Sequence, residues 1–181
     1  MKSIWANIFK HRNDAEESVT EILGRIPVFQ GLSRKEIRSI ERILHRRLYK
    51  AGELIFKQGD AGVGMYIIEK GVVAIRLEPS EIVVAELADG EFFGELALLD
   101  DAPRSASAVA QTDCKILGFF QPDLFGLIER QPRTGVKIVV KLAQIIGERL
   151  RAANQENQEM RNQVSELREA LKNLKEAEES K

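Results

Sequence analysis

The stretch that decides the fold is Phe93-Gly94-Glu95-Leu96-Ala97-Leu98-Leu99-Asp100-Asp101-Ala102-Pro103-Arg104-Ser105-Ala106-Ser107-Ala108-Val109. A strand is predicted to end at Phe93, where Gly94 permits a sharp turn and a close backbone approach. A short helix is predicted within Phe93–Leu99, and the first N–H groups of such a helix are free to bind an anion. Arg104 follows nine residues after Glu95, and Pro103 positions it at the start of the next strand.

Arg104 and Glu95 together point to one kind of ligand. A guanidinium beside a helix N-terminus is a phosphate receptor, because it forms bidentate, charge-assisted hydrogen bonds. A carboxylate in the same place would repel phosphate, but it can accept hydrogen bonds from ligand hydroxyls, as an acidic residue does from a ribose in dinucleotide sites. The pair therefore describes a nucleotide site. A Glu95–Arg104 salt bridge that closes a short helix is the alternative interpretation of the same spacing.

Short apolar runs separated by turn residues surround this stretch, from about residue 46 to 121. They are Glu53–Lys57, Gly64–Glu69, Val72–Leu77, Ile82–Leu87, Ala106–Ala110 and Cys114–Phe120. Several short strands at regular spacing are typical of a sandwich or barrel.

Helices are predicted on both sides of the strands. The first is capped by Asn13 or Asp14 and ended by Gly24, and the second begins with a capping box of Ser33 and Glu36. After the strands, Pro122–Arg130 reads as a short helix, which Pro132 separates from a long one.

The segment 93–109 closely resembles the phosphate-binding cassette of the cyclic nucleotide-binding domain. That domain is shared by the bacterial catabolite activator family, kinase regulatory subunits and cyclic nucleotide-gated channels. Ile26–Ser33, Ala51–Asp60 and Met65–Val73 also resemble segments of that domain, so the resemblance covers about residues 26–150. It implies an α+β fold, in which a jelly-roll-like β-roll is flanked by N-terminal helices and a long C-terminal dimerisation helix.

The resemblance also implies roles for individual residues. Arg104 would hold the cyclic phosphate, and Glu95 would accept from the ribose 2′-hydroxyl. Ser105 stands where a family hydroxyl can touch the phosphate and where threonine goes with guanine preference, so cAMP and cGMP both stay open, with cAMP favoured. The other candidates would supply backbone, lining or base contacts; they are Phe93, Gly94, Leu96, Ala97, Ala106 and, from the long helix, Arg149.

An apolar seam runs along the long helix with spacings that alternate between four and three residues. Its a positions are Leu150, Asn157, Val164 and Leu171, and its d positions are Ile146, Ala153, Met160, Leu167 and Leu174. This spacing predicts a coiled coil, and Asn157 at an a position favours an in-register parallel dimer. We therefore expect a homodimer through residues 146–174. The alternative is a long helix packed on its own domain, but the residues that flank the seam are polar almost all round.

The sequence thus divides into three expected parts. Residues 1–25 form an N-terminal helical segment, residues 26–132 the cyclic nucleotide-binding β-roll, and residues 133–181 the long helix with its parallel coiled coil. In the family's transcription factors a winged helix-turn-helix follows the long helix, whereas here the coiled coil occupies that place.

The composition argues against several classes of function. The 27 Lys and Arg against 28 Asp and Glu give a net charge of −1, which argues against direct DNA binding. One cysteine and two histidines argue against a metal centre, and no nucleophile–base pair or Walker loop indicates an enzyme. Neither a membrane helix nor a secretory signal is visible, so a cytoplasmic location is expected. An apolar patch in residues 1–12, around Trp5, could touch a membrane, although packing on the barrel or on a partner is favoured.

The leading hypothesis is a non-enzymatic cyclic nucleotide sensor that signals through its coiled-coil dimer to an unidentified effector protein. Two alternatives keep the same fold. One is a scaffold dimer that uses no nucleotide, and the other is a regulatory subunit of a transcription complex.

Overall fold

Eight strands form the centre of the protein. The computed structural model describes residues 18–179, with side chains described for residues 18–168. The strands are β1 (His45–Tyr49), β2 (Leu54–Phe56), β3 (Gly64–Lys70), β4 (Val73–Leu77), β5 (Ile82–Leu87), β6 (Phe92–Phe93), β7 (Ser107–Ala110) and β8 (Cys114–Phe120). They pair in two four-stranded antiparallel sheets, β1-β8-β3-β6 and β2-β7-β4-β5. The predicted β-roll is confirmed, and the predicted runs for β5 and β8 have the bounds of the observed strands.

One strand, β1, was not predicted. Its sequence, His-Arg-Arg-Leu-Tyr, is mostly polar, and four of its five residues are exposed, so no apolar alternation marks it. It forms because its backbone pairs with β8, in a register that sets His45 opposite Gly118 and Tyr49 opposite Cys114. The imidazole of His45 also contacts the Asp123 carboxylate over 3.1 Å.

Helices precede and follow the strands. They are α1 (Val19–Arg25), α2 (Arg34–Glu41), α3 (Gln121–Arg130) and α4 (Pro132–Glu179), with 3₁₀ helices at Pro27–Phe29 and Glu95–Leu98. The predicted capping box of α2 is confirmed, since Glu36 Oε2 accepts from the Ser33 N–H over 2.7 Å and Ser33 Oγ accepts from the Glu36 N–H over 3.3 Å.

The first helix differs from its prediction. Ser18 caps α1 in a second capping box with Glu21, and Gly24 lies inside the last turn rather than ending the helix. The cap predicted at Asn13 or Asp14 and the patch around Trp5 lie outside the described residues.

Apolar side chains pack on both faces of the β1-β8-β3-β6 sheet. Along β3, Tyr66 and Ile68 face the interior of the sandwich with residues of the opposite sheet. Met65 and Ile67 are also fully buried, and strand alternation places them on the other face. There Phe119 meets Phe29 from the first 3₁₀ helix with ring centroids 6.0 Å apart.

The chain divides into two compact units, of which the first ends at Leu142 and the second begins at Ala143. Helix α4 is continuous from Pro132 to Glu179, as predicted from the absence of prolines. Among the described seam positions, Leu150, Met160, Val164 and Leu167 are 46–64% exposed, and Ile146 is half-buried. Over residues 18–179, no helix is long and apolar enough to cross a membrane.

Candidate functional site

A left-handed turn at Gly94 begins the candidate site. Strand β6 ends at Phe93, Gly94 has φ of 74°, and the 3₁₀ helix starts at Glu95. The short helix predicted within Phe93–Leu99 is therefore a 3₁₀ turn, and Phe93 belongs to the strand. A Cβ at Gly94 would lie 2.6 Å from Nη1 of Arg104, so glycine is required both for the backbone angle and for the close approach of the arginine.

The backbone of Arg104 is held by a turn from another part of the chain. Its N–H donates to the carbonyl of Asp60 over 2.8 Å, and its carbonyl accepts from the N–H of Gly59 over 2.9 Å. The side chain then points inward and is only 7% exposed. Nη1 donates to the carbonyl of Gly94 over 3.2 Å, and Nη2 donates to the carbonyl of Gly64 over 2.8 Å. Arg104 thereby ties the turn at Gly94 to the start of β3.

Aromatic rings surround this guanidinium. Arg104 Cζ lies 4.2 Å from the ring centroid of Phe56 and 5.6 Å from that of Tyr66. Tyr66 and Phe93 stack with centroids 5.5 Å apart. Burial lowers the pKa of Arg104, while Tyr66 and the carboxylates of Asp60 and Glu95 act in the opposite direction. The guanidinium stays protonated, because the ordinary pKa of arginine is far above neutrality.

The three guanidinium nitrogens of Arg104 differ in their partners. The Nε atom is buried and has no hydrogen-bond partner among the described residues. An unpaired buried donor costs about 1–3 kcal/mol, so this position calls for an acceptor. Phosphate oxygens meet a guanidinium in paired hydrogen bonds, and the residues present therefore fit a bound phosphate.

Glu95 is the second charged group of the site. It opens the 3₁₀ helix and is 5% exposed. The negative charge of its carboxylate raises the pKa of Arg104. Both interpretations, a ligand site and a Glu95–Arg104 salt bridge, predict this attraction. A buried carboxylate is costly unless hydrogen-bond donors reach it. The position therefore suits either a protein partner or a ligand hydroxyl.

The other predicted residues lie around this pair in different environments. Ala97 is buried against Gly62, where a Cβ would lie 2.6 Å from Ala97 Cβ. Leu96 is 46% exposed, Ser105 is exposed, and Ala106 is half-buried. Arg149 occupies an exposed position of α4 in the second unit, and its part in ligand binding stays a prediction.

Sequence reasoning missed Phe56 and Tyr66 as site residues. Both lie in apolar runs that were interpreted as strands, and nothing in their spacing places them beside Arg104. Sheet pairing does so, because Tyr66 stands opposite Phe93 in the β3–β6 register. No group of three or more His, Cys, Asp or Glu that could hold a metal ion occurs within the described part of the chain.

Comparison with known proteins identifies the class of this fold and site. Residues 46–131 match the family model of the cyclic nucleotide-binding domain. This part of the chain belongs to that family, as the cassette resemblance predicted.

Named relatives come from two branches of the family. The cyclic AMP receptor protein of Thermus thermophilus is 40% identical over 133 residues, which are 72% of this chain and 60% of that protein. The cAMP-dependent protein kinase type II regulatory subunit of Drosophila melanogaster is 37% identical over 107 residues, 58% of this chain and 28% of that protein. Among solved structures, the Thermus thermophilus catabolite activator protein superposes with a TM-score of 0.65 at 39% identity, covering 72% of this chain and 61% of that one. The chain thus spans less than two thirds of each of these relatives.

Proposed function

We propose that the protein is a non-enzymatic cyclic nucleotide sensor, with cAMP as the favoured ligand and cGMP as the alternative. The observation that carries the proposal is Arg104, a buried guanidinium with an unpartnered Nε beside the Gly94 turn of a cyclic nucleotide-binding domain. The relatives named above are a cAMP receptor and a cAMP-dependent regulatory subunit, which supports cAMP as the ligand and a role other than catalysis.

In this proposal, different residues of the cassette contact different parts of the nucleotide. Arg104 binds the cyclic phosphate, and because its guanidinium is already desolvated, the hydrogen bonds it gains are strong. Glu95 accepts from the ribose 2′-hydroxyl. Ser105 adds a hydroxyl at the phosphate, and Arg149 contributes from α4. Phe93, Gly94, Leu96, Ala97 and Ala106 supply backbone and lining.

We further propose a parallel homodimer through residues 146–174. The exposure of the described seam residues supports a helix partner over packing on the chain's own β-sandwich. The heptad also continues backward, with Val136 and Ala143 at a positions and Val139 at a d position. Val136 is 57% exposed in the single chain, which is consistent with a seam that starts close to the β-roll. We also propose the division into three parts that the sequence predicts, at residues 1–25, 26–132 and 133–181.

The dimer passes the signal to an effector protein in the cytoplasm. Nucleotide shifts the balance between two arrangements of the helices that follow the β-sandwich by its differential affinity for them. Direct contact with DNA is not part of the proposal, because the chain as a whole has a net charge of −1.

A thermal shift measurement tests the proposal and separates it from a scaffold that uses no nucleotide. A ligand that binds only the folded protein stabilises it by about 2.7 kcal/mol at a hundredfold excess over Kd. We expect cAMP to raise the Tm of the wild type and of Arg130→Ala, an exposed arginine at the end of α3, but not that of Arg104→Ala. If neither cAMP nor cGMP raises the Tm, and the denatured protein releases no absorbing nucleotide, the scaffold is favoured.

A further inference from the structure

A ring of three hydrogen bonds joins residues 104–107, here called the arginine segment, to the residue that follows β4. Ser107 Oγ donates to Glu78 Oε1 over 2.9 Å. The N–H of Gln58 donates to Ser107 Oγ over 2.9 Å, and the N–H of Glu78 donates to Gln58 Oε1 over 2.8 Å. Each of the three residues therefore contacts the other two, although they come from three separate segments of the chain.

The same turn that holds Gln58 also holds Arg104. Its backbone closes by a hydrogen bond from the N–H of Asp60 to the carbonyl of Lys57 over 3.1 Å, and Asp60 Oδ2 accepts from the N–H of Lys57 over 2.8 Å. Gly59 and Asp60 then pair with the backbone of Arg104. The arginine segment is thus fixed to one turn at two points, at Arg104 directly and at Ser107 through Gln58.

Glu78 determines the orientation of the Ser107 hydroxyl toward this turn. Ser107 is 2% exposed, so its hydroxyl must find partners within the protein. A hydroxyl has a single proton to donate, and donating it to Glu78 leaves a lone pair of Oγ for the N–H of Gln58. Without the carboxylate the hydroxyl loses its acceptor, and its orientation toward Gln58 is no longer fixed.

We propose that Glu78 is a positioning residue for Arg104. It acts through Ser107 and Gln58 and makes no hydrogen bond with Arg104 among those of the described residues. Glu78 contacts both Gln58 in the turn and Ser107 in the arginine segment, so it holds the two together. It thereby fixes the backbone position from which the Arg104 side chain donates to the carbonyls of Gly94 and Gly64. Its effect on nucleotide affinity rests on the proposed function, whereas its effect on Arg104 does not require a ligand.

The test compares Glu78→Ala and Ser107→Ala with a matched control, Glu86→Ala. Glu86 also accepts a side-chain hydrogen bond in the same sheet, from Gln111 Nε2 over 2.8 Å, but it does not belong to the ring. The first readout is the ¹⁵N NMR resonance of the Arg104 Nε–H in ligand-free protein, assigned by its loss in Arg104→Lys. We expect Glu78→Ala and Ser107→Ala to shift or broaden this resonance, and Glu86→Ala and Ser107→Thr to leave it in place.

The second readout is the Kd for cAMP, measured by calorimetry on the same variants. Because a hydrogen bond to a charged group is lost, we expect Glu78→Ala to weaken binding about fivefold to tenfold. Glu78→Ala/Ser107→Ala should weaken it no more than the worse single variant, because both remove the same contact. Glu78→Gln keeps an uncharged acceptor and should fall between wild type and Glu78→Ala.

The outcomes separate this inference from the proposed function. An Arg104 resonance that Glu78→Ala leaves unmoved overturns the positioning role. If Glu78→Ala moves the resonance but the wild type binds neither cAMP nor cGMP, the positioning role is supported and the proposed function is overturned. Wild-type binding that Glu78→Ala weakens no more than Glu86→Ala overturns the role of Glu78 in affinity.

Discussion

At the scale of single residues, the site depends on an arginine and on a glycine that makes room for it. Arg104 and Glu95 were named from the sequence because their residue types suit a phosphate and a ribose hydroxyl and because the segment resembles a phosphate-binding cassette, whereas their spacing alone fits a salt bridge equally well. Phe56 and Tyr66 could not be predicted, because an aromatic residue in a strand usually belongs to the core. Their contact with Arg104 depends on pairing between segments that are distant in the sequence.

The role of Gly94 can be separated from that of an ordinary turn glycine. Gly94→Ala and Gly90→Ala both force alanine to a positive φ, near 74° and 80°, and this strain should lower the free energy of unfolding of each by about 1 kcal/mol. A Cβ at Gly94 meets Arg104 Nη1, whereas a Cβ at Gly90 meets nothing within 4 Å. Denaturant unfolding should therefore show a loss in both variants, the larger one in Gly94→Ala, while cAMP binding falls in Gly94→Ala alone. Equal cAMP affinities in the two variants would contradict the account.

At the scale of elements, apolar runs between turn residues predict strands well, both for the buried β8 and for the largely exposed β5. Strands β5 and β8 were predicted with their observed bounds, and Pro122 and Pro132 in the first turns of α3 and α4 located the starts of both helices. Strand β1 was missed because its partner, and not its own sequence, determines its conformation. The 3₁₀ helix after Gly94 was taken for an ordinary short helix, because the local sequence does not distinguish the two over so few residues.

The contact between α2 and α4 should be sensitive to acid. Glu36 Oε1 accepts from Lys137 Nζ over 2.9 Å and from Thr134 Oγ1 over 3.1 Å. The hydrogen bond from Lys137, followed by that from the Ser33 backbone, lowers the pKa of Glu36 from 4.5 to about 2. A carboxylate whose pKa is lower in the folded state stabilises the protein above its unfolded pKa, and this contribution is lost as the pH falls toward the folded value.

The prediction compares wild type with Glu36→Gln, which retains an acceptor for Ser33 but loses the charge. The wild type should have the higher free energy of unfolding above pH 4.5, and the difference should disappear as the pH approaches 2. Denaturant unfolding across this pH range measures the difference in free energy of unfolding. As a control, Glu36→Gln introduced into Lys137→Gln should cause a smaller difference already at neutral pH. A difference between wild type and Glu36→Gln that does not change with pH would refute the assignment.

At the scale of the whole molecule, the long helix sets the expected assembly. The seam was predicted from its spacing, and the continuous helix and exposed seam residues agree with a helix that presents this face to a partner. The assembly depends on contacts between two chains, because a coiled coil is defined by the contacts that its helices make with one another.

Sedimentation should give a mass about twice the 20.4 kDa of the chain. Val164→Lys places a charge at an a position and should shift the protein toward monomer, whereas Gln158→Lys, outside the seam, should not. Asn157→Val should raise the Tm and admit oligomers other than dimers, because a buried asparagine specifies two strands at a cost in stability. Val164→Lys that remains as dimeric as the wild type would place the interface elsewhere.

The central claim is that Arg104 binds the phosphate of a cyclic nucleotide, and calorimetric titration of the purified protein with cAMP and with cGMP tests it most directly. We expect one nucleotide per chain, with cAMP bound more tightly than cGMP. In Arg104→Lys, which keeps the charge but loses the paired hydrogen bonds, the affinity should fall at least tenfold. Binding of equal strength in wild type and Arg104→Lys, or no binding to a wild type first freed of retained nucleotide, would contradict it.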